Sequence, residues 1–360
     1  MLYSTIVAGG SGTRLWPLSR ASEPKFLHPL TGTDRTLLQA TVDRVAGLSA
    51  PGHVYVVTGT AHAAAIARQL PQVPTANILV EPSPKDSCPA ISLAAAVIAR
   101  RDPDAIMAAF SADHLIGDEP RFRSVILHAV DAARQGYLTT VGIRPVRADV
   151  RFGYLRTGEA LTGDARLVAE FKEKPSIEVA AAYLESGQYL WNAGIFVFAV
   201  QAFLAELERQ RPGLSAGIAA IADAWDHADR DRVLAEVWPG LEKISVDYGV
   251  LEGAGAVGKV ATVPADMPWS DVGDFHSLGE ALPTDESGNL LIADAGQVIT
   301  RDVKDAVVVS TTGRVVALIG LANVVVVDTP DAILVCARDR AQEVKQVVDE
   351  LRDRGAGSCI

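Results

Sequence analysis

Residues 4–29 read STIVAGGSGTRLWPLSRASEPKFLHP: a short apolar strand breaks at Gly9 into a run of glycines, and two permanent cations, Arg14 and Lys25, follow. Gly9, Gly10 and Gly12 carry no side chain, so backbone N–H groups at this turn can approach an anion closely. A forked guanidinium and a compact ammonium just beyond such a turn suit a polyphosphate. The run is not a Walker loop, because no Gly-Lys-Ser/Thr follows at the required spacing. Nor is it the dinucleotide fingerprint, since Leu15 stands where the third glycine belongs. Glycines after a strand can by themselves be a tight turn and nothing more; the cations and prolines that follow are what single this run out.

Working outward, the pattern alternates. Apolar strands are predicted over 2–8, 53–58, 77–80, 105–111 and 137–143, with helices near 35–47, 61–70, 88–101 and 119–135. That alternation predicts an α/β fold: a Rossmann-like, mixed but mostly parallel sheet with helices on both faces. Ligands of such sheets sit beyond the carboxyl ends of the strands, where Gly9, Glu81 and Asp113 fall. Strands over 151–157 and 167–172 form a hairpin or lid. A helix at 176–186, a strand at 193–198, helices to 253, a strand at 256–263 and the loop MPWSDVG (267–273) complete a first domain, 1–285. Beyond TDESGN (284–289) come short Val/Ile-rich strands near 290–293, 297–301, 305–310, 314–318, 323–328 and 332–335. A closing helix at 338–353 places Ala341, Val344, Val347, Val348 and Leu351 on one side. Residues 286–360 therefore read as a small β-rich, β-helix-like domain, with a structural role under the first domain or between two copies of the chain, a homodimer.

Charge and cysteines narrow the class. A net charge of −11 over 360 residues argues against nucleic acid as a partner, so any phosphate site must be local. Cys88, Cys336 and Cys359 share no metal or redox spacing and suggest neither disulfide framework nor zinc site. MLYSTIV carries no basic leader, and no apolar run reaches the roughly 18–20 residues of a membrane span. These features lead to the expectation of a soluble, cytoplasmic protein with no membrane partner.

Two further stretches carry candidate chemistry. EPSPKDSCPA (81–90) joins a strand to an Ala-rich helix. The carboxylate of Glu81 or Asp86 could accept two donors presented together on one edge of a ligand. Asp86 and Ser87 could equally cap the helix. In FSADHL (110–115), Asp113 ends a buried strand; with a second carboxylate from a distant loop, Asp271 of WSDVG, it would suit Mg²⁺, which takes one or two carboxylates plus phosphate oxygens and water.

Read together with the glycines, Arg14, Leu15, Pro17, Leu18, Ser19, Arg20, Pro24 and Lys25 resemble the signature of the sugar-1-phosphate nucleotidylyltransferases, and RLWPLSR is most similar to the mannose-1-phosphate guanylyltransferases among them. The resemblance implies transfer of GMP from GTP to α-D-mannose 1-phosphate, with Mg²⁺ on Asp113 and Asp271. It implies that Ala8, Gly9, Gly10, Gly12, Glu81, Asp86 and Ser87 contact the nucleotide. Gly153 and Tyr154 of RFGYLRTG, Glu173 and Lys174 of EFKEKPS, and Asn192 of YLWNAGIF occur where the family holds its hexose, and Asp247 of SVDYGVLE matches a further family motif. On this reading Arg14 serves the departing phosphates, Lys25 the α-phosphate and Lys174 the attacking phosphate. The family stretch that usually reads RNTAPA is KDSCPA here, which keeps an acceptor and a hydroxyl. A transferase using UTP or dTTP with glucose 1-phosphate would use the same glycines and carboxylates, whereas a non-catalytic sensor would be expected to lose a cation or metal ligand. The residues after 285 are too few for a second, isomerase domain.

Overall fold

A computed structural model describes residues 1–10, 12–294 and 296–355; Ser11 of the glycine turn and Cys359 lie outside them. The chain forms two compact units. The first comprises Met1–Gly9, Thr41–Ala112 and Ile116–Met267, the second Gly10–Ala40, Asp113–Leu115 and the chain from Pro268 on. The strands in chain order are β1 (Leu2–Ala8), β2 (Val54–Gly59), β3 (Ile78–Glu81), β4 (Ile106–Ser111), β5 (Leu115–Ile116), β6 (Leu138–Ile143), β7 (Tyr154–Ala160), β8 (Arg166–Lys172), β9 (Tyr189–Ala199) and β10 (Val260–Ala265). They continue with β11 (Trp269–Ser270), β12 (Leu290–Ile292), β13 (Val298–Arg301), β14 (Val307–Ser310), β15 (Val316–Ile319), β16 (Val324–Asp328) and β17 (Ile333–Ala337). The helices used below are α1 (Leu37–Val45), α2 (Ala63–Gln69), α3 (Ser87–Arg101), α4 (Glu119–Arg134), α5 (Ile177–Ser186), α6 (Val200–Gln210) and α7 (Pro212–Ala224), followed by α8 (Arg230–Val237), α9 (Glu252–Gly255), α10 (Phe275–Ala281) and α11 (Val344–Asp353).

The first unit is built on a nine-stranded sheet of order β3-β2-β1-β4-β9-β6-β10-β8-β7. The strands β1, β2 and β4 are near-continuous apolar runs because both faces of a parallel sheet are covered. Their registers run Ile6↔Val56 and Ile6↔Phe110. On one face Tyr3, Met107 and Ala109 pack with α3, α6 and α7 in a single core. On the other, Phe110 meets Phe122 of α4 with ring centroids 5.8 Å apart. In α3, residues 88–99 are all buried, which explains an Ala-rich helix with little polar face. The sheet is mixed as expected: β9 runs antiparallel between β4 and β6, and β8 antiparallel to β10 and β7.

Several boundaries differ from the sequence reading; the hairpin strand expected at 151–157, for one, runs Tyr154–Ala160. The strand expected at 193–198 begins at Tyr189, so Asn192 lies inside β9; Gly187, at φ 64°, ends α5 and lets the chain extend at once. The strand expected from 256 begins at Val260, because Lys259 N–H still bonds Ala254 O in the turn that closes α9.

In the second unit β12, β14 and β16 are parallel neighbours, and so are β13 and β15. The pairings Leu290↔Val307 and Val307↔Val325 advance by one coil of chain each time, as in a β-helix. Alternation divides the valines. Val308, Val326 and Leu318 fill the coil interior, whereas Val307, Val309, Val325 and Val327 turn outward onto Phe275, Leu278, Leu15, Val344 and Val348. The closing segment is a 3₁₀ turn over Arg338–Glu343 followed by α11. Val347, expected on the apolar side, is 39% exposed; the buried face runs Ala341, Val344, Val348, a 3,4 spacing that 347 breaks. No helix among the described residues is long and apolar enough to cross a membrane.

Candidate active site

In the second unit the Asp113 strand end and the WSDVG loop meet around one ammonium, that of Lys25, whose stem lies beside Gly12. Lys25 Nζ lies 2.8 Å from Asp113 Oδ2 and donates to the main-chain oxygens of Asp271 at 2.8 Å and Val272 at 3.2 Å. All three of its protons thus have acceptors, and an arriving phosphate must replace one of them. Gly12 permits this arrangement: its φ is +60°, and a Cβ there would sit 2.9 Å from Ser19 Oγ and 3.1 Å from the Lys25 side chain. Val272 holds φ +45°, a costly conformation for a β-branched residue, directly after Asp271. Arg14, in the 3₁₀ turn Thr13–Leu15, is half-buried and has no carboxylate partner among the described residues. Asp113 Oδ2 and Asp271 O can be no farther apart than twice 2.8 Å, since both touch the same nitrogen. That bound concerns the main-chain oxygen of Asp271; the carboxylates of Asp113 and Asp271 are of the hard oxygen type that a small divalent cation takes, and among the described residues no group of three metal-type ligands occurs.

In the first unit Ala8 ends β1 buried, its carbonyl taken by Thr58 Oγ1 at 2.9 Å. Gly9 is exposed with open space where a Cβ would be, and Gly10, the first residue of the other unit, is likewise open at φ +86°. Glu81 closes β3 only 9% exposed, with Oε1 lacking any hydrogen-bond partner among the described residues. Burial pushes its carboxyl up to about 7. Asp86, at φ 71°, caps α3 by accepting from Ser87 N–H at 2.7 Å. Ser87 Oγ accepts from Val246 N at 2.9 Å and Cys88 N–H bonds Ile244 O at 3.1 Å, so the start of α3 braces the segment leading to Asp247.

Because Glu81 holds its proton more tightly folded than unfolded, its ionisation removes stability as pH rises from about 4.5 through about 7. Glu81→Gln is therefore expected to match wild type at pH 4 and to gain about 3 kcal/mol above pH 8, read by urea unfolding at the two pH values. Equal stability at both would contradict an ionised, unpartnered Glu81.

Also in the first unit, Gly153, Glu173, Lys174, Asn192 and Asp247 form one polar group. Asn192 N–H bonds Gly153 O at 2.8 Å. A Cβ on Gly153 would strike the Glu173 carboxylate. Lys174 Nζ lies 3.2 Å from Glu173 Oε1 and its backbone is left-handed at φ +45°. Asn192 Oδ1 accepts from Thr140 Oγ1 at 2.7 Å, which turns Nδ2 toward Asp247 Oδ1 at 2.8 Å. Asp247 opens a π-helical turn, Asp247–Leu251. Burial pushes the Glu173 and Asp247 carboxyls up, and Glu173 raises Asp247 further. Burial would lower Lys174, but the neighbouring Glu173 outweighs it and holds the ammonium charged. Acceptors, an amide and a cation in one group suit hydroxyls beside a phosphate. Thr140 had no signal in the sequence: a threonine inside the apolar run LTTVGI reads as sheet core.

The family model described as nucleotidyl transferase matches residues 3–288, and the mannose-phosphate isomerase/GMP-like β-helix domain model matches 296–351. A mannose-1-phosphate guanylyltransferase of Escherichia coli K12 is 38% identical over 366 residues, 98% of this chain and 74% of that protein. This chain belongs to the mannose-1-phosphate guanylyltransferase family. The xanthan biosynthesis protein XanB of Xanthomonas campestris is 39% identical over 97% of this chain and 73% of its own length. A solved protein of Thermus thermophilus, described as a mannose-1-phosphate geranyltransferase, superposes with TM-score 0.86 at 33% identity over 98% of this chain and 99% of that one.

Proposed function

We propose that the chain transfers GMP from GTP to α-D-mannose 1-phosphate, giving GDP-mannose and pyrophosphate. The observation that carries this reading is the Lys25 clamp on Asp113 and Asp271 in a chain so close to the Escherichia coli enzyme. The attacking sugar phosphate is already an anion, so no side chain need be activated as a nucleophile. The protein must align two anions and neutralise charge. Arg14 is assigned to the departing phosphates and Lys25 to the α-phosphate, which would replace the longest of its three bonds, that to Val272. Glu81 takes the guanine edge, Glu173 and Asn192 the sugar hydroxyls, and Lys174 the attacking phosphate. Asp113 and Asp271 would hold a divalent cation, Mg²⁺ in this reading, which when bound neutralises phosphate charge. Residues 1–285 form the catalytic part. The 286–360 part is proposed to join two copies, a reading supported by its exposed Ile319, Ile333 and Val335. GTP is a cytosolic nucleotide, so the proposed compartment is the cytoplasm.

A Cβ at Gly153 must push Glu173 aside. Overpacking of this kind costs about 1–3 kcal/mol, so Gly153→Ala is expected to raise KM for mannose 1-phosphate about tenfold or more while leaving KM for GTP within twofold. A uniform loss in both would place Gly153 outside the sugar site. Pyrophosphate release with each of GTP, ATP, UTP and dTTP against mannose 1-phosphate and glucose 1-phosphate tests the reaction itself. Turnover with UTP or dTTP and glucose 1-phosphate in preference to GTP and mannose 1-phosphate would overturn it.

A further inference from the structure

The hairpin β7–β8 has two ends with different chemistry. Tyr154↔Lys172 opens toward Gly153, Glu173 and Lys174, while Ala160↔Arg166 closes it about 20 Å further along the strands. At that closed end lies a pocket of about 460 Å³. Its lining includes Arg121 from the first turn of α4, Arg144 just past β6 and Arg166 opening β8, with Thr157, Gln188 and Tyr189 between them. None of the three guanidinium groups has an ion pair or side-chain hydrogen bond among the described residues. Their neighbours do: Arg123, on the same helix as Arg121, pairs with Glu119 at 3.1 Å, and Arg156, on the same hairpin as Arg166, pairs with Glu170 at 3.2 Å. The one acid in the lining, Asp164, lies 3.1 Å from His128 Nδ1.

Three like charges around one concavity, in a chain of net charge −11, repel one another unless an anion joins them. Guanidinium forks match phosphate oxygens in pairs, and a threonine hydroxyl and a glutamine amide beside them offer partners to sugar hydroxyls. We propose that this pocket binds a phosphate-bearing small molecule of sugar-phosphate size, at a site separate from the transfer site. The hairpin carries the signal: a ligand tying its closed end to α4 and β6 also restrains the strands that present Glu173 and Lys174. The regulatory part of this inference rests on the transferase reading, whereas the binding part does not.

Calorimetric titration separates the two. Glucose 6-phosphate is expected to bind wild type and Lys174→Gln equally, more tightly than inorganic phosphate, and at least tenfold more weakly to Arg144→Gln/Arg166→Gln. Citrate is expected to bind more weakly than either phosphate probe. An unchanged affinity in the double variant, a loss confined to Lys174→Gln, no binding to wild type, or citrate binding as tightly as glucose 6-phosphate would each overturn the proposal. With binding established, glucose 6-phosphate is expected to shift KM for mannose 1-phosphate in wild type and not in the double variant; no shift in wild type would overturn the regulatory part alone.

Discussion

Lys25→Ala is expected to lower kcat by about 10²–10³-fold, the range for removing one preorganised charge from a transition state, with the fold retained. The side chain is 13% exposed and its ammonium holds an Asp113 carboxylate oxygen and two main-chain oxygens of the WSDVG loop. Removing it leaves those acceptors without their donor and Asp113 without its counter-charge, so a modest stability loss of about 1–3 kcal/mol accompanies the catalytic one. Lys25→Met separates the effects, because it keeps the stem that packs beside Gly12 and removes only the charge. Steady-state kinetics with circular dichroism reads both: a Met variant within tenfold of wild-type kcat would remove Lys25 from the reacting centre, and an unfolded Ala variant beside a folded, inactive Met variant would still support it.

Asp271→Asn is expected to abolish most turnover for a different reason. Lys25 bonds the main-chain oxygen of Asp271 and not its carboxylate, so the clamp and the strained Val272 backbone survive the substitution. Only the side-chain charge is lost. One of two charged donors is then missing, and a Mg²⁺ site built on two carboxylates weakens sharply. The expected result is a kcat loss of about 10²-fold or more and a rise of at least tenfold in the Mg²⁺ concentration giving half-maximal rate. A Mg²⁺ titration superposable on that of wild type would contradict the assignment.

How far the sequence announces all this depends on whether a feature is local. Strand–helix alternation and glycine punctuation are local, and the α/β sheet follows from them. The valine runs between 290 and 328 likewise repeat at one coil's length, so the β-helix is visible as period and alternation. Pairing is not local: nothing in YLWNAGIFVFA says that it inserts antiparallel between β4 and β6. The same holds at the site. Asp113 and Asp271 can be named as carboxylates at loop ends, but that Lys25 bridges them is a consequence of tertiary folding. Thr140 and the three pocket arginines were illegible because a buried threonine and a surface arginine look ordinary until their neighbours are known. Ser87, read as a contact to nucleotide or a cap, uses its oxygen to brace Val246.

The central claim is that the chain positions two anions and offers no nucleophile of its own. The buried Cys88 fits it, since burial pushes its thiol up to about 12 and keeps it protonated. The most direct measurement is the stereochemical course at the α-phosphorus, using one diastereomer of GTP carrying sulfur there and resolving the GDP-mannose formed by ³¹P NMR. A single in-line displacement predicts inversion. Retention would require a covalent nucleotidyl–protein intermediate and contradict the account.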